Sequence, residues 1–184
     1  MPPPDLLASG TARKEAPVIE TARLRLRGHA VADFENCLAM WSDPEVVRFI
    51  GGKPFQAEEV WARLLRYAGH WALLGFGFWL IEETDTRQFV GEVGFADYKR
   101  AIETSLQGLP EIGWALAASS HGRGYATEAV AAAVAWGDLH LGSPHTMCMI
   151  RPANLASIRV AEKCGYTEFE RATYKDQPTV LFRR

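Results

Sequence analysis

The stretch His121-Gly-Arg-Gly-Tyr-Ala-Thr-Glu-Ala-Val-Ala-Ala-Ala-Val-Ala-Trp-Gly137 constrains the fold more than any other part of this chain. An apolar run, Glu111-Ile-Gly-Trp-Ala-Leu-Ala117, precedes it and reads as a buried strand. The stretch itself then becomes alanine-rich and reads as a helix stopped by Gly137. The order is strand, glycine loop, helix. Gly122 and Gly124 carry no Cβ, so the backbone there can turn sharply and another molecule can approach its amides. The first free N–H groups of the helix point into the same space, with the positive end of the helix dipole behind them. That arrangement suits an anion, most often a phosphate, although glycines also occur at such junctions simply because the turn is tight.

With 184 residues the chain is expected to form one domain. Its net charge of -2 asks for no polyanionic partner, so no nucleic acid is expected. Cys37, Cys148 and Cys164 are odd in number and far apart, which suggests neither a disulfide framework nor a zinc site. A reducing cytoplasm is the expected setting. No apolar run approaches the roughly 18 to 20 residues of a membrane span.

Residues 1–17 combine four prolines with small and charged residues and are expected to form a flexible tail ahead of a domain over 18–184. Thr21 to Arg27 alternates Leu24 and Leu26 with arginines, the period of a half-buried strand. Ala32 to Trp41 has the spacing of a helix. Ser42-Asp-Pro-Glu45 suggests a second, short one, with Ser42 capping it and Glu45 reaching back. Ala57 to Trp71 puts Val60, Trp61, Leu64, Leu65 and Tyr67 on one broad stripe. Phe76 to Ile81 and Phe89 to Tyr98 form an expected hairpin. In its second strand Val90, Glu92, Gly94 and Ala96 share one face, and Phe89, Val93 and Phe95 the other. Glu92 is then a carboxylate inside a largely apolar strand. A loop over about 99–108 leads to the strand at Glu111, expected antiparallel to its predecessor. Thr146 to Ile150 is a short strand, Asn154 starts a last helix ended by Gly165, and Tyr166 to Arg183 closes the chain as a hairpin.

Two stretches resemble the GNAT superfamily of acyl-CoA-dependent N-acyltransferases: Glu111 to Ala129 and Asn154-Leu-Ala-Ser-Ile-Arg-Val-Ala-Glu-Lys-Cys-Gly-Tyr166. His121-Gly-Arg-Gly-Tyr-Ala126 is similar to the family's pyrophosphate loop, with His121 in place of the usual Gln or Arg. Asn154-x-x-Ser157, Thr21 to Arg27 and Ser42 to Glu45 resemble the RimJ/RimL-type branch, which acetylates ribosomal-protein N-termini. The resemblance implies an α+β GNAT fold: a mixed, mostly antiparallel twisted sheet of about seven strands flanked by about four helices.

It also implies acetyl-CoA as donor, an amine as acceptor, no metal, and leaves a homodimer open. The diphosphate would lie on the loop from His121 through Gly122, Arg123, Gly124, Tyr125 and Ala126 to Thr127, favoured by about 0.3–2 kcal/mol from the helix dipole. The pantetheine arm would run as an added strand along Trp114, Ala115 and Leu116. Asn154, an N-cap by type, would touch the cofactor as well, and Ser157 would protonate the leaving thiolate where many relatives use a tyrosine. Glu92 and Glu111 are the candidate bases, with Glu111 preferred because its strand carries the loop. A base matters because only a neutral amine attacks: an α-amine is roughly 10% neutral at pH 7 and a lysine under about 0.1%. Trp41, Trp61 and Trp71 lie on the helices that wall the acceptor site in this superfamily. A CoA-binding module without turnover is the alternative reading. The missing Gly-Lys-Ser/Thr argues against a P-loop.

Overall fold

The computed structural model describes residues 15–100, 108–143 and 145–184, so most of the expected tail and of the 99–108 loop lies outside the described residues. Among the described residues, eight strands form one sheet in the order β1-β2-β3-β4-β5-β6-β8-β7. These are β1 (Ile19–Glu20), β2 (Leu24–Arg27), β3 (Phe78–Glu83), β4 (Phe89–Ala96), β5 (Glu111–Leu116), β6 (Met147–Ile150), β7 (Thr167–Tyr174) and β8 (Gln177–Arg183). Every neighbouring pair is antiparallel except β5 and β6. The strand beyond the expected seven is the two-residue β1.

Five α-helices among the described residues cover the sheet: α1 (Phe34–Trp41), α2 (Pro44–Val47), α3 (Ala57–Leu74), α4 (Tyr125–His140) and α5 (Leu155–Lys163). Helices α4 and α5 bury Ala129, Val130, Ala133 and Ala161 against Leu24, Ile81, Val93, Phe95 and Ile112. On the opposite face, Cys37, Met40 and Trp41 of α1, Val47 of α2 and Val60 of α3 pack with Leu80 and Ala115. Cys37 and Cys148 are buried and Cys164 half-buried, all as free thiols. Among the described residues no helix is long and apolar enough to cross a membrane.

Four local expectations change. Gly137 does not stop α4, which continues to His140. A Cβ at Gly137 would lie 2.9 Å from Phe95 Cζ, so this glycine lets the helix pack closely on the sheet. Asp43, not Ser42, caps α2, accepting from the Glu45 N–H, while Ser42 Oγ donates to Phe55 O at 3.1 Å. On α3 the buried stripe is Val60, Leu64, Tyr67, His70 and Trp71. Trp61 and Leu65, one position further round the helix, are 38% and 52% exposed. Finally, Ile81 faces Gly91 while its neighbour Glu82 faces Phe89, so Val90 is an extra residue bulged out of β4. The bulge moves Val90 to the α4 face and Phe89 to the α1 face, the reverse of simple alternation, while Glu92, Val93 and Phe95 keep theirs.

Candidate active site

Strand β5 ends at Leu116, and the chain passes through one 3-10 turn, Ala118–Ser120, into the glycine loop. Gly122 and Gly124 have φ of 73° and 79°, the left-handed region that glycine enters without strain. Gly124 is the N-cap of α4 and offers no side chain to the helix, so the first amides of α4 face outward without a protein cap. The loop is braced from β2. Arg23 Nη1 donates to Arg123 O at 3.0 Å, and the Arg23 Nε and backbone N–H donate to the Glu128 carboxylate at 2.8 and 2.9 Å. Thr21 Oγ1 donates to the same carboxylate at 2.7 Å. The Arg23 and Arg123 guanidiniums lie over the Tyr125 ring, 4.7 and 4.5 Å from its centroid, and the Tyr125 hydroxyl donates to Glu83.

Side chains expected on the cofactor therefore have protein partners. His121 Nε2 donates to Leu116 O at 2.9 Å, tying the loop to the strand end. Arg123 pairs with Glu83 at 2.8 Å. Tyr125 is buried, and Ala126 and Thr127 are half-buried.

Beside this loop the sheet opens. Strands β5 and β6 meet at one register pair, Glu111 and Met147, and then part. Past that pair the two strands are not bonded to each other; β5 leads on to the glycine loop and β6 to the start of α5. Trp114 and Leu116 face the α4 side of β5, and Ala115 the α1 side. Asn154 caps α5: its Oδ1 accepts from the Ser157 N–H at 3.2 Å. Ser157, in the first turn, is half-buried.

The two candidate carboxylates differ in setting. Glu111 lies at the closed end of the gap, held by Arg100 Nε and Nη2 at 2.5 and 2.7 Å. Glu92 lies opposite Ala115, beside the open part, and is 1% exposed. Its Oε2 accepts from Trp41 Nε1 at 3.1 Å and from the Tyr67 hydroxyl at 3.0 Å, and its Oε1 faces His29 Nε2 at 3.3 Å. Burial pushes this carboxyl up, but the His29 hydrogen bond, the nearby charges and the Tyr67 donor outweigh it and hold it below the usual range. Next to Tyr67, the half-buried Arg63 donates to the phenol oxygen at 3.0 Å and stacks on Trp41 and Phe55, 3.9 and 4.9 Å from their centroids.

An acetyltransferase (GNAT) domain model matches residues 23–167. The chain belongs to the GNAT acetyltransferase family. It is 29% identical to the uncharacterized N-acetyltransferase YoaA of Bacillus subtilis (strain 168), over 82% of each chain. Among solved structures, a GNAT-family acetyltransferase from Bordetella pertussis superposes with a TM-score of 0.81 at 28% identity, covering 92% of this chain and 99% of that one. An acetyltransferase from Agrobacterium tumefaciens str. C58 gives 0.79 at 29% identity, covering 92% and 94%.

Nothing in the residue pattern marks His29, yet in this GNAT chain its buried ring contacts Glu92 and stacks obliquely on Tyr67 at 4.9 Å. No spacing signal could have found it, because the contact spans 63 positions. His29, Cys37 and Glu92 bring three possible metal-ligand atoms within 4.8 Å of one another. We assign no ion there: protein donors already occupy both Glu92 oxygens, and burial together with the Glu92 charge pushes the Cys37 thiol far up, keeping it protonated.

Proposed function

We propose that this GNAT protein transfers an acetyl group from acetyl-CoA to a primary amine, by direct attack of the amine within a ternary complex. The observation that carries the reading is the parting of β5 and β6 with uncapped helix amides at its mouth. The pantetheine arm would fill the gap as a strand on β5, along Trp114, Ala115 and Leu116. The diphosphate would rest on the amides of Gly122 to Ala126, extending to Thr127. Because His121 and Arg123 are engaged elsewhere, the amides and the dipole supply most of that binding.

The α4 and α5 helices close one face of the gap, so the amine arrives from the face of α1 to α3. Glu92 lies on that face beside the open part, whereas Glu111 stands at the closed apex and is tied to Arg100. This favours Glu92 over Glu111 as the carboxylate that draws the amine's proton, through a water rather than directly, because both its oxygens already face protein donors. The amine nitrogen bonds to the thioester carbon, a β5 amide holds the oxyanion, and the C–S bond then breaks. Ser157 gives the departing thiolate its proton. Asn154, by capping α5, fixes the backbone that carries Ser157. The motifs of Thr21–Arg27, Ser42–Glu45 and Asn154–Ser157 favour the RimJ/RimL-type branch, with a protein N-terminus or a small amine as acceptor.

Thiol release from acetyl-CoA across a panel of amines tests the activity. On any accepted amine, Ser157→Ala should lower kcat by about 10²-fold, the usual size of an acid's contribution. An unchanged kcat would remove Ser157 from the role.

A further inference from the structure

Arginine is seldom buried without a carboxylate partner, because desolvating the charge is costly. Arg63, half-buried, reaches its nearest carboxylate, Glu92, only through the Tyr67 hydroxyl. Its guanidinium is walled by Trp41 and Phe55 and donates to a neutral phenol, and among the described residues it forms no ion pair. Arg66, one helical turn on, also forms none among the described residues, and its guanidinium lies 5.4 Å from the Tyr98 ring. Both stand on the face by which a second substrate reaches the gap. The link is continuous: the bare Gly113 of β5 faces Phe78, whose ring stacks on Tyr67 at 4.5 Å, and Tyr67 carries the Arg63 hydrogen bond. Arg100, which fills the closed end, is already matched by Glu111.

From this geometry we infer that the acceptor amine carries a carboxylate, recognised by Arg63 and Arg66. The inference rests on the acetyl-transfer reading and names its substrate class. A guanidinium fork binds a carboxylate through two parallel charge-assisted hydrogen bonds, and an aromatic wall holds the fork in plane. Glu92 and Arg63 are bridged by the single Tyr67 oxygen, a negative and a positive site side by side. That pairing suits an amino acid, or a peptide N-terminus with an acidic side chain close by. A polyamine or aminoglycoside would bring further cations against two arginines that form no ion pair among the described residues, and be repelled.

The test uses the full-length protein with acetyl-CoA and reads thiol release. Acceptors are L-amino acids, their carboxamides, N-terminal peptides with and without an acidic second residue, spermidine and an aminoglycoside. A carboxamide has the more weakly basic amine and so the larger neutral fraction, which makes it the faster acceptor unless the carboxylate is bound. The inference expects the acid form, or the acidic peptide, to lead its neutral counterpart by at least about tenfold in kcat/KM. The better of the two names the source of the carboxylate. Arg66→Gln should lower that preference several-fold. Arg63→Lys should do the same, and because Arg66 is exposed its variant reports even if Arg63→Lys fails to fold. Preference for the amide, spermidine or the aminoglycoside, or an acid-to-amide ratio unmoved by Arg66→Gln, overturns the inference while leaving acetyl transfer intact. No thiol release with any acceptor refutes the acetyl-transfer reading itself.

Discussion

Glu92 shows what one buried charge requires. Trp41, Tyr67 and His29 come from three separate segments to face it, and together with nearby charge they keep it ionised where burial alone would protonate it. Its folded pKa lies below its unfolded value of 4.5, so its contribution to stability is fully present above that value. The contribution is lost as pH falls through the folded pKa. Glu92→Gln should therefore cost about 1–3 kcal/mol at neutral pH, by leaving donors imperfectly matched. The deficit should shrink as the solution is acidified below about pH 4.5. Urea midpoints of both proteins between pH 7 and pH 3 measure this, and a deficit that grows toward acid would contradict it.

The brace between β2 and the first turn of α4 makes a different kind of prediction. Arg23 touches the loop carbonyl, the Glu128 carboxylate and the Tyr125 ring at once, so it sets where the loop amides point. Arg23→Ala should raise KM for acetyl-CoA several-fold while kcat changes much less, which steady-state kinetics would separate. A fall in kcat with KM unmoved would argue against a positioning role. Much of this element was legible in the sequence. The apolar run of β5, the glycines and the alanine-rich helix each have a local cause, and Asn154 announces α5 by residue type. What escaped depends on contacts between distant segments. The Val90 bulge reverses two side chains without leaving a mark in the residue pattern. Gly137 resembles a stop until Phe95 is seen beneath it, and His29 acquires meaning only once β4 lies against it. Ser42 and Asp43 are both good caps by type, and tertiary contact with Phe55 decides between them.

The molecule as a whole is one sheet held firmly on both sides of a parting between β5 and β6. On the β1–β5 side, Trp71 and Trp79 interlock with Trp136 of α4, ring centroids 4.8 to 5.4 Å apart, while β8 stitches β6 to β7 on the other. A ligand lying in the parting as an extra strand would join the two sides. CoA at about 100 times its Kd should add about 2.7 kcal/mol and raise Tm by roughly 5–10 °C for a domain of this size. Scanning calorimetry would measure the rise, and hydrogen exchange should slow most in β5 and at the starts of α4 and α5. No shift at saturating CoA would contradict the gap as its binding site. Burial, meanwhile, pushes the Cys37 and Cys148 thiols far above their ordinary range, and raises Cys164 as well. The folded enzyme should thus be nearly silent toward a disulfide dye at neutral pH, so that colour developing in the assay reports liberated CoA against a flat baseline.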